Sequence, residues 1–78
     1  MDALRDHVIT EIVKARLSED QETCGQTIDV SVAEGDLFLI GYCDSEKQKI
    51  SAVRIAKGIY GVRAVIDQIR IRRISTSI

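Results

Sequence analysis

The chain has 78 residues, of which 45% are hydrophobic and 29% charged, and its formal charge is -1. Such a balance excludes a disordered chain, and the length suits one domain with a small core. A charge near zero excludes a general attraction to nucleic acid or anionic membranes, so any basic surface must be local. We therefore expect a single domain over residues 1–78.

The first predicted element is a helix from Ala3 to Leu17, where apolar residues recur at helical spacing. The stripe that suits a core comprises Ile9, Val13 and Leu17, with Ile12 at its margin. A second stripe, about a quarter turn away, comprises Leu4, Val8 and Ala15. A helix on one sheet needs only one stripe. The second stripe can widen the core, pack on another helix, enter a membrane interface or be buried in a second copy of the chain.

A polar segment, residues 18–26, is typical of a loop, and a β-hairpin follows it. In the first strand Ile28, Val30 and Val32 alternate with polar residues, the pattern of a half-buried strand. Gly35 allows the tight turn that ends this strand.

The second predicted strand, Leu37 to Cys43, is apolar on both faces. Side chains alternate along a strand, so Leu37 and Leu39 point to one side of the sheet. The opposite side receives Phe38, Ile40 and Tyr42. Gly41 is expected on the core side, where its missing side chain would let a helix approach the sheet closely.

The second helix begins with a capping box formed by Ser45 and Gln48, and Asp44 is expected to cap it as well. Its apolar stripe comprises Ala52, Ile55, Ala56 and Ile59. Gly61 is expected to end this helix in the left-handed conformation. In the last strand Val65, Ile69 and Ile71 alternate with Gln68, Arg70 and Arg72.

The predicted fold is therefore α+β with the order αββαβ. The second strand, second helix and third strand form a βαβ unit, whose two strands are parallel neighbours. This gives a three-stranded mixed sheet of order 1-2-3 with both helices packed on one face. The strand residues expected in the core are Ile28, Val30, Val32, Leu37, Leu39, Val65, Ile69 and Ile71.

Several of these patterns together resemble the BON domain, named for bacterial osmotically induced and nodulation proteins. They are D-x-x-I-x-x-x-V-x-x-x-L-x-x-D from Asp6, I-x-V-x-V-x-x-G-x-L-x-L-x-G from Ile28, D-S at Asp44, A-x-x-I-A from Ala52 and G-V-x-x-V-x-D-x-I-x-I from Gly61. The resemblance covers about residues 6–71 and implies the same αββαβ fold.

The resemblance also implies a function. BON domains are regarded as non-enzymatic binders of phospholipid membranes or of protein partners in the cell envelope, so the expected partner is an anionic phospholipid or an envelope protein. Family members carry no catalytic motif, and we expect structural roles for Gly35, Gly41 and Gly61. Without a signal peptide the chain as written is expected in the cytoplasm, and in the periplasm or at a membrane if it is cut from an exported parent.

With both helices on one face, the other face of the sheet is open. It is expected to expose an apolar and basic surface made of Phe38, Ile40, Tyr42, Ile66, Arg70 and Arg72. A contiguous apolar patch on a small domain is often a contact site. Alternatively, the stems of Arg70 and Arg72 cover the rings of Phe38 and Tyr42, and the surface has no partner.

No catalytic, cofactor or metal site is predicted. His7 is the single histidine and lies on the polar side of the first helix without a Cys or second His beside it. The hairpin register places Cys43 opposite about Thr27, three residues from Cys24, which disfavours a disulfide because its Cα atoms must lie within ~7 Å.

Two further functions remain open. Marginal core size and two unclaimed apolar stripes favour a small self-associating domain, such as a homodimer. Aromatic residues beside arginines also resemble a single-stranded nucleic-acid platform, which the negative net charge disfavours.

Overall fold

A computed structural model of the chain describes residues 3–72. Its elements are helix α1 (Ala3–Glu19), strand β1 (Thr27–Ala33), strand β2 (Asp36–Cys43), helix α2 (Glu46–Lys57) and strand β3 (Ala64–Ile71). The sheet order is β1-β2-β3, with β1 antiparallel and β3 parallel to the central strand. The predicted α+β fold is confirmed.

The core lies between this sheet and the two helices. Leu37, Leu39 and Cys43 of β2 are fully buried, and both helices pack on their side of the sheet. The other buried apolar residues are Ile9, Val13, Leu17, Val30, Ala52, Ala56, Ile59 and Ile69. At the margins the predicted core residues Ile28, Val32, Val65 and Ile71 are only half-buried.

Helix α1 is attached to the hairpin turn by Asp6. Glu34 and Gly35 have φ angles of 54° and 86°, which is the left-handed pair that a tight two-residue hairpin turn requires. Their backbone N–H groups donate to the Asp6 carboxylate at 2.9 and 3.4 Å. One carboxylate therefore fixes the position of the helix relative to the turn.

Gly41 is required for a different reason from the predicted one. At its φ of 143° a Cβ atom would collide with the carbonyl group of Thr27 on β1. The nearest neighbour of such a Cβ atom is thus the backbone of the adjacent strand rather than a helix.

Helix α2 starts as predicted and ends earlier. Ser45 accepts from the Gln48 N–H, and the Gln48 side chain accepts from the Ser45 N–H at 3.1 Å. The helix ends at Lys57, and the Gly58 N–H donates to the Arg54 carbonyl at 3.2 Å. Gly61 has the expected positive φ of 97° but lies in the following loop, so it does not end the helix.

Candidate interaction surfaces

The described residues 3–72 contain no cluster of His, Cys, Asp and Glu that could hold a metal ion. Within the same range no helix is long and apolar enough to cross a membrane. The candidate interaction sites in the described residues are two exposed apolar surfaces, one on α1 and one on the sheet.

The first surface, which we call the helix strip, comprises Leu4, Val8, Ile12 and Tyr60. Its exposed fractions run from 40% at Ile12 to 94% at Tyr60. Tyr60 follows α2 in the chain, and it lines one shallow depression together with Val8 and Ile12. The residues of the predicted second stripe are therefore solvent-exposed. Ala15, the third residue of that stripe, is exposed as well and extends the helix strip along α1.

The helix strip points away from the sheet. A residue in an α-helix turns about 100° from the one before it, so Ala15 lies about 160° around the helix from the buried Val13. The stripes are nearly opposite rather than a quarter turn apart. The exposure of Leu4 and Val8 rules out two of the four alternatives, a wide core and packing on α2. A membrane interface and a second chain remain.

The border of the helix strip is basic. Arg5 and Arg16 line the same depression as Tyr60. On the other border Glu11 faces Lys14 at 3.9 Å, which balances its charge. The strip thus combines exposed aliphatic side chains, one exposed tyrosine and two arginines.

The second surface, which we call the open sheet face, has β2 at its centre. Ile40 and Tyr42 are 42% and 49% exposed, whereas Phe38 is half-buried. In the register Ile66 lies beside Phe38, and Arg70 lies beside Tyr42. Both predicted neighbours from β3 are therefore on this face.

The arginines cover only one end of the open sheet face. The Arg72 guanidinium lies 5.9 Å from the centre of the Tyr42 ring and 3.7 Å from the Asp44 carboxylate. Asp44 therefore pairs with an arginine, and Ser45 alone is the N-cap residue. Among residues 3–72 no arginine lies over the Phe38 ring, whose β3 neighbour is Ile66. The predicted shielding of both aromatic rings applies to Tyr42 only.

Neither cysteine belongs to these surfaces. Cys24 is exposed and Cys43 is buried in the core. Burial raises the pKa of the Cys43 thiol, and the nearby Asp44 and Asp67 carboxylates raise it further. Thr27 pairs with Tyr42, one residue from the predicted register.

Sequence reasoning missed two residues of the helix strip. Tyr60 was hidden because α2 was extended to Gly61, and Gly58 was the available signal for the earlier end. Ile12 was assigned to the margin of the core stripe, although at 40% exposed it belongs to the strip. His7 is exposed on α1, as expected.

Residues 5–73 match the family model of the BON domain. The chain belongs to the BON domain family. The family assignment made from the sequence is thereby confirmed, and BON domains are generally non-enzymatic modules.

Two known proteins that are similar to this chain are longer than it. Osmotically-inducible protein Y of Escherichia coli (strain K12) is 34% identical over 67 residues, which are 86% of this chain and 33% of that protein. The C-terminal domain of CdsD, the structural protein of the Type III secretion system of Chlamydia trachomatis, has a TM-score of 0.70 at 19% identity, over 86% of this chain and 33% of that one. The second likeness is one of fold. The chain spans about a third of the length of each of these two proteins.

Proposed function

We propose that this BON domain is a non-enzymatic module that attaches reversibly to anionic phospholipid surfaces through the helix strip. The observation that carries the proposal is the exposure of Leu4, Val8, Ile12 and Tyr60 side by side, with Arg5 and Arg16 at their border. Helices that lie in a membrane interface have apolar side chains in the acyl region and arginines at headgroup level. Tyrosine favours the same boundary.

The expected attachment is weak. Full burial of a Leu, Val or Ile side chain contributes about 1.5–3 kcal/mol, and these side chains are already part-buried. Each arginine near an anionic surface adds about 1 kcal/mol. A sum of a few kcal/mol gives a contact that forms and dissociates readily, which suits a module acting beside other binding modules.

The open sheet face is less suited to an anionic surface. The Arg72 charge is already shared with Asp44 and the Tyr42 ring. Asp29 also projects from this face beside Ile40, and a carboxylate is repelled by anionic headgroups. The same features weaken a nucleic-acid platform, because Phe38 is half-buried and the Tyr42 ring lies beneath a cation.

The test is flotation on vesicles of phosphatidylglycerol mixed with phosphatidylcholine, compared with phosphatidylcholine alone. The native chain is expected to float with the anionic vesicles only, and less so as salt is raised. Leu4→Ser combined with Tyr60→Ser should abolish flotation, because it removes two apolar side chains of the helix strip. Both side chains are solvent-exposed, so their loss leaves the core intact. Ile50→Ser is the matched control, because Ile50 is 56% exposed on α2, outside the strip.

Two results would contradict the proposal. A native chain that never floats removes direct lipid contact and leaves a protein, either an envelope protein or a second copy of the chain, as the partner of the strip. Equal loss of flotation in Ile50→Ser would show that the contact is not localised to the strip.

A further inference from the structure

The open sheet face carries unpaired charges of opposite sign on its two edge strands. Asp29 projects from β1 and Arg70 from β3, and both are exposed. Neither forms an ion pair among the described residues 3–72. Their strands lie two strand spacings, about 10 Å, apart, with the row of Ile40 and Tyr42 in between.

This arrangement is complementary to itself. A two-fold axis can lie above the open sheet face and parallel to β2. Rotation about this axis places a second copy face to face with the first, with β3 of the second copy opposite β1 of the first. Ile40 then packs against the second copy's Ile40. Asp29 is level with Ile40, and Arg70 with Tyr42, only two residues further along the strands. The long arginine side chain can span that offset, so the symmetric contact forms two Asp29–Arg70 pairs.

We propose that the open sheet face binds a second copy of this chain, sheet against sheet, in this orientation. Two packed sheets lie about 10 Å apart with strands about 30° from alignment, which suits a central apolar row with charged edges. The other two-fold arrangement, with the axis across the strands, places Asp29 over the second copy's Asp29. Like charges directly opposite each other disfavour it.

The size of the face predicts a weak dimer. Three strands of about eight residues cover roughly 370 Å², whereas a stable interface buries about 800 Å² on each partner. The dissociation constant should therefore be on the order of 0.1 mM. Such a dimer forms only where the local concentration of the chain is high.

The proposal goes beyond membrane attachment and does not depend on it. In the dimer the sheets lie inside and the helices outside, so the helix strips remain exposed and point in opposite directions. Variants of the strip should leave association unchanged, and variants of the sheet should leave flotation unchanged.

The test is sedimentation velocity of the native chain, without lipid, from about 10 µM to about 1 mM, a range that brackets the expected dissociation constant. As the protein concentration increases, the weight-average molecular mass should rise from that of one chain towards that of two chains. Ile40→Asp should remain a monomer throughout, because it places a charge in the centre of the contact. Ile50→Asp introduces the same charge on α2 and should associate like the native chain.

Charge reversal tests the orientation. Asp29→Arg alone and Arg70→Asp alone should each lose association, because every cross-copy pair then has like charges. An equimolar mixture of the two variants should recover it, since the arginine introduced at position 29 faces the aspartate introduced at position 70, while the native Arg70 and Asp29 still face each other. The recovery also demonstrates that both variants are folded.

Several outcomes would overturn the proposal. They are a native chain that stays monomeric at about 1 mM, roughly ten times the expected dissociation constant, equal loss of association in Ile50→Asp, or no recovery in the mixture. Loss of flotation in Ile40→Asp, with no association in the native chain, would assign this face to lipid instead.

Discussion

Gly41 marks a point where two strands approach too closely for any side chain. A Cβ atom there would overlap the Thr27 carbonyl, and the φ of 143° strains every residue except glycine. Gly41→Ala should therefore lower the free energy of unfolding by about 2–4 kcal/mol, measured by urea denaturation. Gly25→Ala is the control, because nothing lies within 4 Å of its added methyl group. Similar losses in both variants would mean that Gly41 acts through chain flexibility rather than through this contact.

The two cysteines should differ in reactivity because only one is buried. Burial raises the pKa of the Cys43 thiol. At a given pH a smaller fraction of Cys43 than of an exposed cysteine is therefore ionised to the reactive thiolate. Alkylation at about pH 8 should modify the exposed Cys24 at least tenfold faster, as mass spectrometry of each peptide would show.

The same pKa shift links Cys43 to stability at high pH. Its folded-state pKa exceeds the unfolded one, so its contribution is fully present below about pH 8.5 and is lost as pH rises through the folded value. In the alkylation experiment, equal rates of modification at Cys24 and Cys43 in the folded chain would show that burial does not protect the Cys43 thiol.

At the scale of elements, Asp6 determines how α1 sits against the hairpin. Asp6→Ala leaves the N–H groups of Glu34 and Gly35 without their acceptor and should cost about 1–2 kcal/mol of unfolding free energy. The amides of both turn residues should also exchange faster with deuterium. Glu11→Ala removes a surface pair with Lys14 on the same helix and should change stability by less than about 0.5 kcal/mol. Unchanged exchange at the turn would show that Asp6 does not hold it.

Elements that depend on near neighbours were predicted well. The capping box of Ser45 and Gln48 and the turn at Gly35 use contacts within four residues, and the structure confirms both. The C-terminal end of α2 was misplaced because two glycines follow in quick succession. The chain leaves the helix at Gly58, and Gly61 reverses direction afterwards, beside Ile9 of α1. The contact between Gly61 and Ile9 joins residues that are far apart in the sequence, so a local pattern could not reveal it.

At the scale of the whole molecule, the two exposed surfaces lie on opposite sides of a two-layer fold. The helix strip faces away from the sheet, and the open sheet face is turned away from both helices. One flat bilayer cannot touch both at once. A chain attached through Leu4 and Tyr60 therefore presents Ile40 and Tyr42 away from the membrane, where the two proposed contacts can form independently.

The sequence by itself determined the order of elements, the alternation of each strand and the family, because these rest on local periodicity, turn residues and caps. Only the tertiary structure decided that the second stripe of α1 is exposed, since the spacing of Leu4 and Val8 would also have suited a wide core or packing on α2. It also decided the partner of Asp6, 28 residues away at Glu34, and the exposure of Tyr60. Such contacts depend on how rigid elements meet in space, which no local pattern encodes.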